Sequence, residues 1–449
     1  MGHRDEDLIT VTHVCRTWRE TFISRSSLWT NFDCKNAEKT RVYLERSKSS
    51  PINLCLDRDS GLSPCDPFLQ IVPHSVDRLK FLSVKGTPES LQDITSYLSF
   101  RAPLLEWLDV GCGSRYGPQR NPVLTTALLN GDLSSLHGLR LRSVSTELPW
   151  RNMTNLTSFI LCYIAPGDLT IRQLLDFFEN APRLRSIKLN SATPASGGQN
   201  GRLVSLACLK KMDILWGEPA SLLLDHLLIP VGAKLTKWVT GSFDRVVADL
   251  PKSLDNLRNI SDFTKIHIQT GKHYTCMQLR GPNGQLCIAS HIDIPYSGLE
   301  SLAPFDTSST VWLEVVSTDH PFKGPPHRTL HPLSNLRTLT LTRCKNPCNL
   351  MVALHPNFGW SAVVACPKLE EIVFVLHTDR EVFDIRSVVE MAAVRASRGA
   401  KLRTIKIVGR QDKLNLGDLF ELRKHVSHVE FDPEVDVASD SDDSDEAEY

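Results

Sequence analysis

A six-residue pattern, L-x-x-L-x-L, recurs along this chain and limits the folds that the chain can adopt. In each of its two runs, successive copies start 20 to 33 residues apart. The copies begin at Leu79, Leu105, Leu136, Leu156, Leu184, Leu209, Leu336, Leu369, Leu402 and Val426. This spacing is typical of leucine-rich repeats, whose units bury their apolar faces only against one another. We therefore predict an α/β leucine-rich-repeat-like solenoid of irregular repeat length, with parallel strands lining one wall and helices and loops forming the other.

Helical segments precede several copies of the pattern. They read PESLQDITSYLSFRAP, IRQLLDFFENAP and VVEMAAVRASRGA. Pro103, Pro182 and Pro367 each stand two residues before an anchor leucine, where proline ends a helix and lets a strand begin. The anchor leucines themselves are predicted to be core residues and no part of a binding site.

The pattern fades between its sixth and seventh copies, where we predict an irregular, β-hairpin-rich insertion at about 240–325. The segment FTKIHI (263–268) alternates like one more strand. Within 274–292, two alternating apolar runs flank Asn283-Gly284, a sequence typical of a tight hairpin turn.

The N-terminal region has a different character. Residues 7–23 are predicted to form one helix, which Asp7 caps, because one apolar stripe recurs at spacings of three and four. Its members are Leu8, Val11, Cys15, Trp18 and Phe22. A short amphipathic helix (39–48) follows, and INLCLD (52–57) alternates like a strand.

This N-terminal stretch resembles the second and third helices of an F-box. The motif elements are Asp7-Leu8, Val14-Cys15-Arg16-Thr17-Trp18 and Leu28-Trp29. The continuation KTRVYLERSKSSPINLCLD, followed by a leucine-rich-repeat-like body, is similar to F-box proteins of mushroom-forming fungi. The motif match covers about 30 residues, whereas the likeness of the body is one of architecture alone.

The resemblance implies a substrate-recognition subunit of an SCF-type ubiquitin ligase. Residues 1–48 would be a partial F-box that binds a Skp-family adaptor, and through it the cullin and RING subunits. Residues 49–431 would hold an unknown protein substrate. The adaptor-binding residues would be Leu8, Val11, Val14, Cys15 and Trp18, with Phe22, Leu28 and Trp29 in the F-box core. The alternative to an adaptor contact is local packing against the first repeats. We give the two equal weight for Trp18 and prefer local packing for Trp29.

A full F-box begins with another helix, and the printed chain starts at MGHRDEDL, directly at the second one. We expect either that the upstream helix is missing from this sequence or that adaptor binding is poor. We favour the first, because the retained apolar residues otherwise lack a partner. The alternative function is an adaptor-independent interaction scaffold, in which the F-box remnant only caps the repeats.

A protein substrate would meet the outward-facing positions of the strands. The main candidates on this wall are Trp107, Arg140, Arg185, Lys188, Arg337 and Arg403, together with Lys80, Glu106, His137 and Thr340. The sequence does not rank them, because half of such positions can be merely solvated.

Residues typical of catalysis, metal binding or nucleic-acid binding are not found in the sequence. It has no G-x-S-x-G elbow, no Walker loop and no CxxC, so we predict no enzyme, cofactor, metal site or small-molecule ligand. His327 and His331 are interpreted as loop residues, and Cys344 and Cys348 lack a second pair. The sequence has no basic run interleaved with aromatic residues, so we predict no nucleic-acid binding.

The cysteines are scattered singly, which predicts a cytoplasmic or nuclear protein. The sequence also has no apolar run of the ~20 residues needed to span a bilayer, so we predict no membrane segment. Residues 432–449 hold nine acidic and no basic side chains and are predicted to be a disordered tail. The tail would be either merely solubilising or regulated by phosphorylation of Ser439, Ser441 and Ser444.

Overall fold

A computed structural model of the chain was analysed. It describes residues 9–58, 75–98, 100–113, 123–124, 129, 133–146, 153–164, 168–192, 201–215, 221–239, 250–251, 254–270, 275–290, 302, 305–317, 330, 332–344, 348–355, 364–376, 384–409 and 416–432. The fold is α/β with mostly parallel strand pairing, as predicted, and the chain divides into two compact units, 1–230 and 231–449.

The first unit is built on eight strands whose neighbours are all parallel, in the order β1-β2-β3-β4-β6-β8-β9-β11. Their bounds are β1 Asn31–Asp33, β2 Ile52–Arg58, β3 Leu79–Gly86, β4 Trp107–Cys112, β6 Gly138–Arg142, β8 Ser158–Ile164, β9 Ser186–Ala192 and β11 Lys211–Leu215. Two-residue strands form side pairs: β5 Val123–Leu124 with β7 Ser145–Thr146, and β10 Val204–Ser205 with β12 Leu227–Leu228.

The helices of this unit lie between the strands. They are α1 Arg16–Ser24, α2 Ala37–Ser47, α3 Pro88–Tyr97, α4 Ile171–Asn180 and α5 Ser221–Leu224, with 3₁₀ turns at Ser26–Trp29 and Val76–Arg78. Helix α4 begins with a capping box, in which Thr170 and Gln173 satisfy each other's backbone N–H groups.

In eight of the ten copies of the repeat pattern, a tight turn precedes the strand. The N–H of an anchor leucine bonds back to the carbonyl three residues earlier, for example Leu105 to Ala102 and Leu184 to Ala181. The anchor side chain is thereby buried, and the next two apolar positions point into the same core. In register these positions form continuous rows across the sheet, such as Leu82, Leu108, Leu139, Phe159 and Ile187. All ten predicted copies are strands.

The second unit orders its strands β13-β16-β15-β14-β17-β18-β19-β20-β21. The bounds are β13 Lys234–Val239, β14 Lys265–Thr270, β15 Thr275–Gly281, β16 Gly284–Ser290, β17 Trp312–Ser317, β18 Thr338–Thr342, β19 Glu371–Val375, β20 Thr404–Val408 and β21 His428–Asp432. Its helices are α6 Cys348–Leu354, α7 Ile385–Ser397 and α8 Leu416–His425, with a 3₁₀ turn at Arg258–Ile260.

The hairpin predicted near Asn283-Gly284 is present. Strands β15 and β16 are antiparallel, and their last pair is Gly281 with Gly284, so Pro282 and Asn283 form the loop, one residue earlier than the sequence indicated. Gly284 has φ +142°, and a Cβ there would lie 2.6 Å from the Ala233 carbonyl. The insertion continues the sheet in its own plane, because β16 also pairs with β13 and β14 with β17.

The prediction of one helix over 7–23 is wrong. Residues 9–12 are helical, but Cys15 is extended (φ −154°, ψ 170°) and α1 starts only at Arg16. All four residues 9–12 are β-branched, as is Val14, and β-branched residues have a lower helix propensity. The Thr12 hydroxyl also donates to the Ile9 carbonyl at 2.7 Å. The stripe from Leu8 to Phe22 is therefore not the face of one helix, and Leu8 itself lies outside the described residues.

Three further strands of the sheets, β1, β13 and β17, were not predicted, because none carries the full repeat pattern. The predicted boundary at residues 48 and 49 lies inside the first unit. In the part of the chain that the structure describes, no helix has the length and apolar character needed to cross a membrane.

Candidate functional site

The N-terminal segment exposes large apolar side chains. Helix α1 buries none of its residues. Trp18 is 49 % exposed and stacks on Phe22 at 6.1 Å between ring centroids, and Val14 is 62 % exposed. Apolar side chains of this size are available for a partner to cover. We call Ile9, Val14, Trp18 and Leu28 the N-terminal apolar group.

Trp29, eleven residues after Trp18, has the opposite environment. It is fully buried, and its indole N–H donates to the Phe22 carbonyl at 2.9 Å. Its ring meets Tyr43 edge-on at 5.1 Å, and the Arg46 guanidinium lies 4.3 Å from the ring centre. The indole thus ties the end of α1 to helix α2.

The remaining residues predicted from the F-box resemblance are spread over these environments. Val11 and Phe22 are half-buried, Cys15 is exposed and Leu28 lies at the edge of exposure. Of the three predicted F-box core residues, only Trp29 is completely buried.

The outward face of the first unit's sheet brings together three of the predicted substrate-facing residues. Trp107 on β4, Arg140 on β6 and Lys188 on β9 occupy alternate positions to the buried leucines, so they share the opposite face. In register, Arg140 lies beside Asp109 on one side and Ile160 on the other, and Ile160 lies beside Lys188.

The Trp107 ring lies across the neighbouring strand because Gly138 has no side chain. A Cβ at position 138 would come within 1.9 Å of the Trp107 ring. Trp107 is consequently half-buried, held flat on the sheet.

We expect Gly138→Ala to displace this ring and to lower the free energy of unfolding by about 1–3 kcal/mol, a typical overpacking cost. Chemical denaturation measures the loss. Gly111→Ala is the matched control, because a Cβ there meets its nearest atom only at 3.5 Å. In a Trp107→Ala background the change at Gly138 should cost little. An equal cost in both backgrounds would show that the ring is not the obstacle.

Lys80 and Thr340 lie within β3 and β18, and the other three main candidates precede their strands. Arg185, Arg337 and Arg403 are exposed, and their backbone N–H groups bond to the preceding repeat. Charges at this position pair across neighbouring repeats, as in Lys80–Glu106 (3.3 Å) and Arg337–Glu370 (3.8 Å). Such exposed pairs contribute little to stability.

Sequence reasoning missed two residues of the outward face, Lys85 and Arg142. Lys85 lies on β3 and Arg142 on β6, two residues beyond Arg140. The signal was available, since residues i and i+2 of a strand share a face. It was overlooked because Arg142 falls just outside the six-residue pattern.

A buried arginine lies in the second unit. Arg395 is fully buried and donates to the carbonyls of Leu354 (3.5 Å), Ala365 (2.8 Å) and Cys366 (2.9 Å). Burial lowers the pKa of Arg395 and raises the pKa of the adjacent Cys366 thiol to about 12. A thiol with this pKa is protonated at neutral pH, so the pair is structural rather than nucleophilic.

Among the described residues, no three His, Cys, Asp or Glu side chains lie together as metal ligands. Cys344 is buried and donates to the Val315 carbonyl at 3.6 Å. His327, His331, the Cys348 side chain and the serines at 439, 441 and 444 lie outside what the structure describes.

Comparison with known proteins adds no identification. No protein-family model matches the chain, and no curated protein matches it either.

Proposed function

We propose that this chain is a substrate-recognition subunit of an SCF-type ubiquitin ligase. In this proposal the N-terminal segment binds a Skp-family adaptor, and the sheet-based body, a leucine-rich-repeat-like solenoid, holds a protein substrate. The role is that of a receptor rather than an enzyme, and its place is the cytoplasm or the nucleus.

The observation that carries the proposal is the contrast between Trp18 and Trp29. Trp29 is fully buried and fixes the segment to the body, whereas Trp18 is half exposed on a helix that buries nothing. An exposed tryptophan is a common interface anchor, with a truncation cost of about 2 kcal/mol or more in binding. Removing Trp18 should therefore affect a partner and spare the fold.

The periodic strands support the second half of the proposal. Parallel strands recur with each copy of the repeat, and each presents polar or aromatic residues opposite its buried row. A regular sheet face of this kind offers a rigid surface for a protein partner.

The test is co-purification with a fungal Skp-family adaptor. The chain as printed and a version carrying an added first F-box helix are compared. We expect the extended version to bind and Trp18→Ala to weaken its binding at least about tenfold. Phe420→Ala is the matched control, because Phe420 is another exposed aromatic (66 %), on α8 of the second unit.

Denaturation midpoints should be unchanged in both variants, since exposed side chains rarely alter stability by more than about 0.5 kcal/mol. Full binding by Trp18→Ala would remove Trp18 from the adaptor site. Absence of adaptor binding by both versions of the chain would leave the alternative, a scaffold whose N-terminal segment only caps the repeats.

A further inference from the structure

Four cationic side chains lie on the outward face of the first unit's sheet: Lys85, Arg140, Arg142 and Lys188. We call them the basic patch. Arg140 and Lys188 share one cross-strand row, two strands apart, which is about 10 Å. Lys85 and Arg142 share the next row, with Gly111 between them.

The gap at Gly111 lets two of these side chains approach each other. A Cβ at that position would lie 3.9 Å from the Lys85 Cγ and 3.9 Å from the Arg142 Cδ. The stems of both side chains therefore lie beside the same bare stretch of backbone. The cationic groups at the ends of these stems would attract an anion bound between them.

Carboxylates lie near the patch, but they form no ion pair with it among the described residues. Within the described part of the chain, none of the four cations has a carboxylate within 4.0 Å. Asp109, beside Arg140, is buried and accepts from the Ser83 hydroxyl at 3.2 Å. Asp213, beside Lys188, is paired with Lys211 at 2.8 Å. Asp57, beside Lys85, is exposed.

Cys162 is a buried thiol that lies beside Arg142 in register. Burial raises the pKa of Cys162; the charges of Arg140, Arg142 and Lys188 oppose this rise, and Asp109 adds to it. Three of the patch cations are therefore near the same buried atom.

The patch continues from an apolar surface. Trp107 lies flat over Gly138, and Arg140 and Arg142 follow Gly138 along β6 at intervals of two residues. Side chains two apart on a strand are about 7 Å apart, as they are in an extended peptide lying along it. The spacing suits an apolar side chain on the ring, followed by acidic side chains at alternate positions.

We propose that the basic patch binds an extended acidic segment of a partner protein. Its alternate carboxylates lie on Arg140 and Arg142 along β6, with Lys85 and Lys188 on either side. This rests on the proposed function, since the segment would belong to the substrate. Nucleic acid fits less well, because the chain as a whole is neutral, with 51 basic and 51 acidic residues.

The experiment is a fluorescence-anisotropy titration of the full chain. The probe is a fluorescein-labelled peptide of alternating glutamate and serine, and its counterpart carries glutamine for glutamate. We expect the glutamate peptide to bind at least about tenfold more tightly, with an advantage that falls as salt rises. Equal binding of the two peptides would overturn the proposal.

Variants locate the site. Arg142→Glu with Lys188→Glu should weaken glutamate-peptide binding at least about tenfold, and the milder glutamine pair should weaken it less. Arg172→Glu is the matched control, an exposed charge on helix α4 outside the patch. Binding by the double variant at the level of the unsubstituted chain would refute the assignment, as would tighter binding of single-stranded oligothymidine than of the peptide.

The two proposals fail separately. The patch variants should still co-purify with the adaptor, and Trp18→Ala should still bind the glutamate peptide. Loss of peptide binding in the patch variants, with adaptor binding intact, supports the patch and shows that it is separate from the adaptor site. Peptide binding without any adaptor binding would support the patch and reject the ligase assignment.

Discussion

Replacing Trp29 by alanine is expected to lower the free energy of unfolding by about 3–5 kcal/mol, the range for truncating a fully buried tryptophan. The ring packs on Tyr43 and under Arg46, and its N–H satisfies the Phe22 carbonyl. Truncation leaves a cavity between α1 and α2 and releases the end of α1. Urea denaturation followed by circular dichroism measures the loss.

Two further variants separate the contribution of ring packing from that of the indole hydrogen bond. Trp29→Phe keeps much of the ring contact and removes the indole N–H, so we expect an intermediate loss. Trp18→Ala should change the midpoint little, since Trp18 is half exposed. If Trp29→Ala unfolds at the same urea concentration as the unsubstituted chain, the N-terminal segment is not held by this ring.

Arg395→Ala is expected to destabilise the chain by about 3 kcal/mol or more, because hydrogen bonds from a charged group contribute about 1.5–3 kcal/mol each. The guanidinium joins the end of α6 to the turn before β19, through the carbonyls of Leu354, Ala365 and Cys366. Without it three buried carbonyls lose a donor. Thermal or urea unfolding measures the change.

Lysine cannot reproduce the planar fork of donors, so Arg395→Lys should recover only part of the loss. Arg386→Ala on the same helix is the matched control. Arg386 is 77 % exposed and 3.9 Å from Asp418, a separation at which an exposed pair contributes little. A loss of similar size at Arg386 would mean that helix charge, rather than the buried contacts, is responsible.

The sequence alone located the repeat strands, the antiparallel hairpin and the helices α2, α3, α4 and α7, because these depend on local periodicity. Leucines at fixed spacing must share a face of a strand, whatever the neighbouring strand is. The buried rows of Leu108, Leu139 and Phe159 follow directly from that rule. The same rule, extended by one residue pair, would have located Arg142.

Arg395 is a buried residue that the sequence analysis did not identify. It stands seven residues after Val388 and four after Met391, on the buried stripe of α7, although arginine is ordinarily exposed. Its acceptors come from residues 354, 365 and 366, on separate elements. Only the tertiary structure supplies these carbonyls, and they are what makes a buried guanidinium tolerable.

In the N-terminal segment, too, the sequence determined some features and the tertiary structure decided others. The sequence indicated both tryptophans and their motif, but an apolar stripe cannot say which member meets the body and which meets solvent. The break at Cys15 and the contacts of Trp29 with Tyr43 and Arg46 decide that, by joining residues 14 to 17 positions apart. Likewise, the pattern located β14, β15 and β16 of the insertion, and their order in the sheet came from pairing between distant segments. Local periodicity fixes which face of an element is apolar; which partner covers that face depends on contacts that no local pattern encodes.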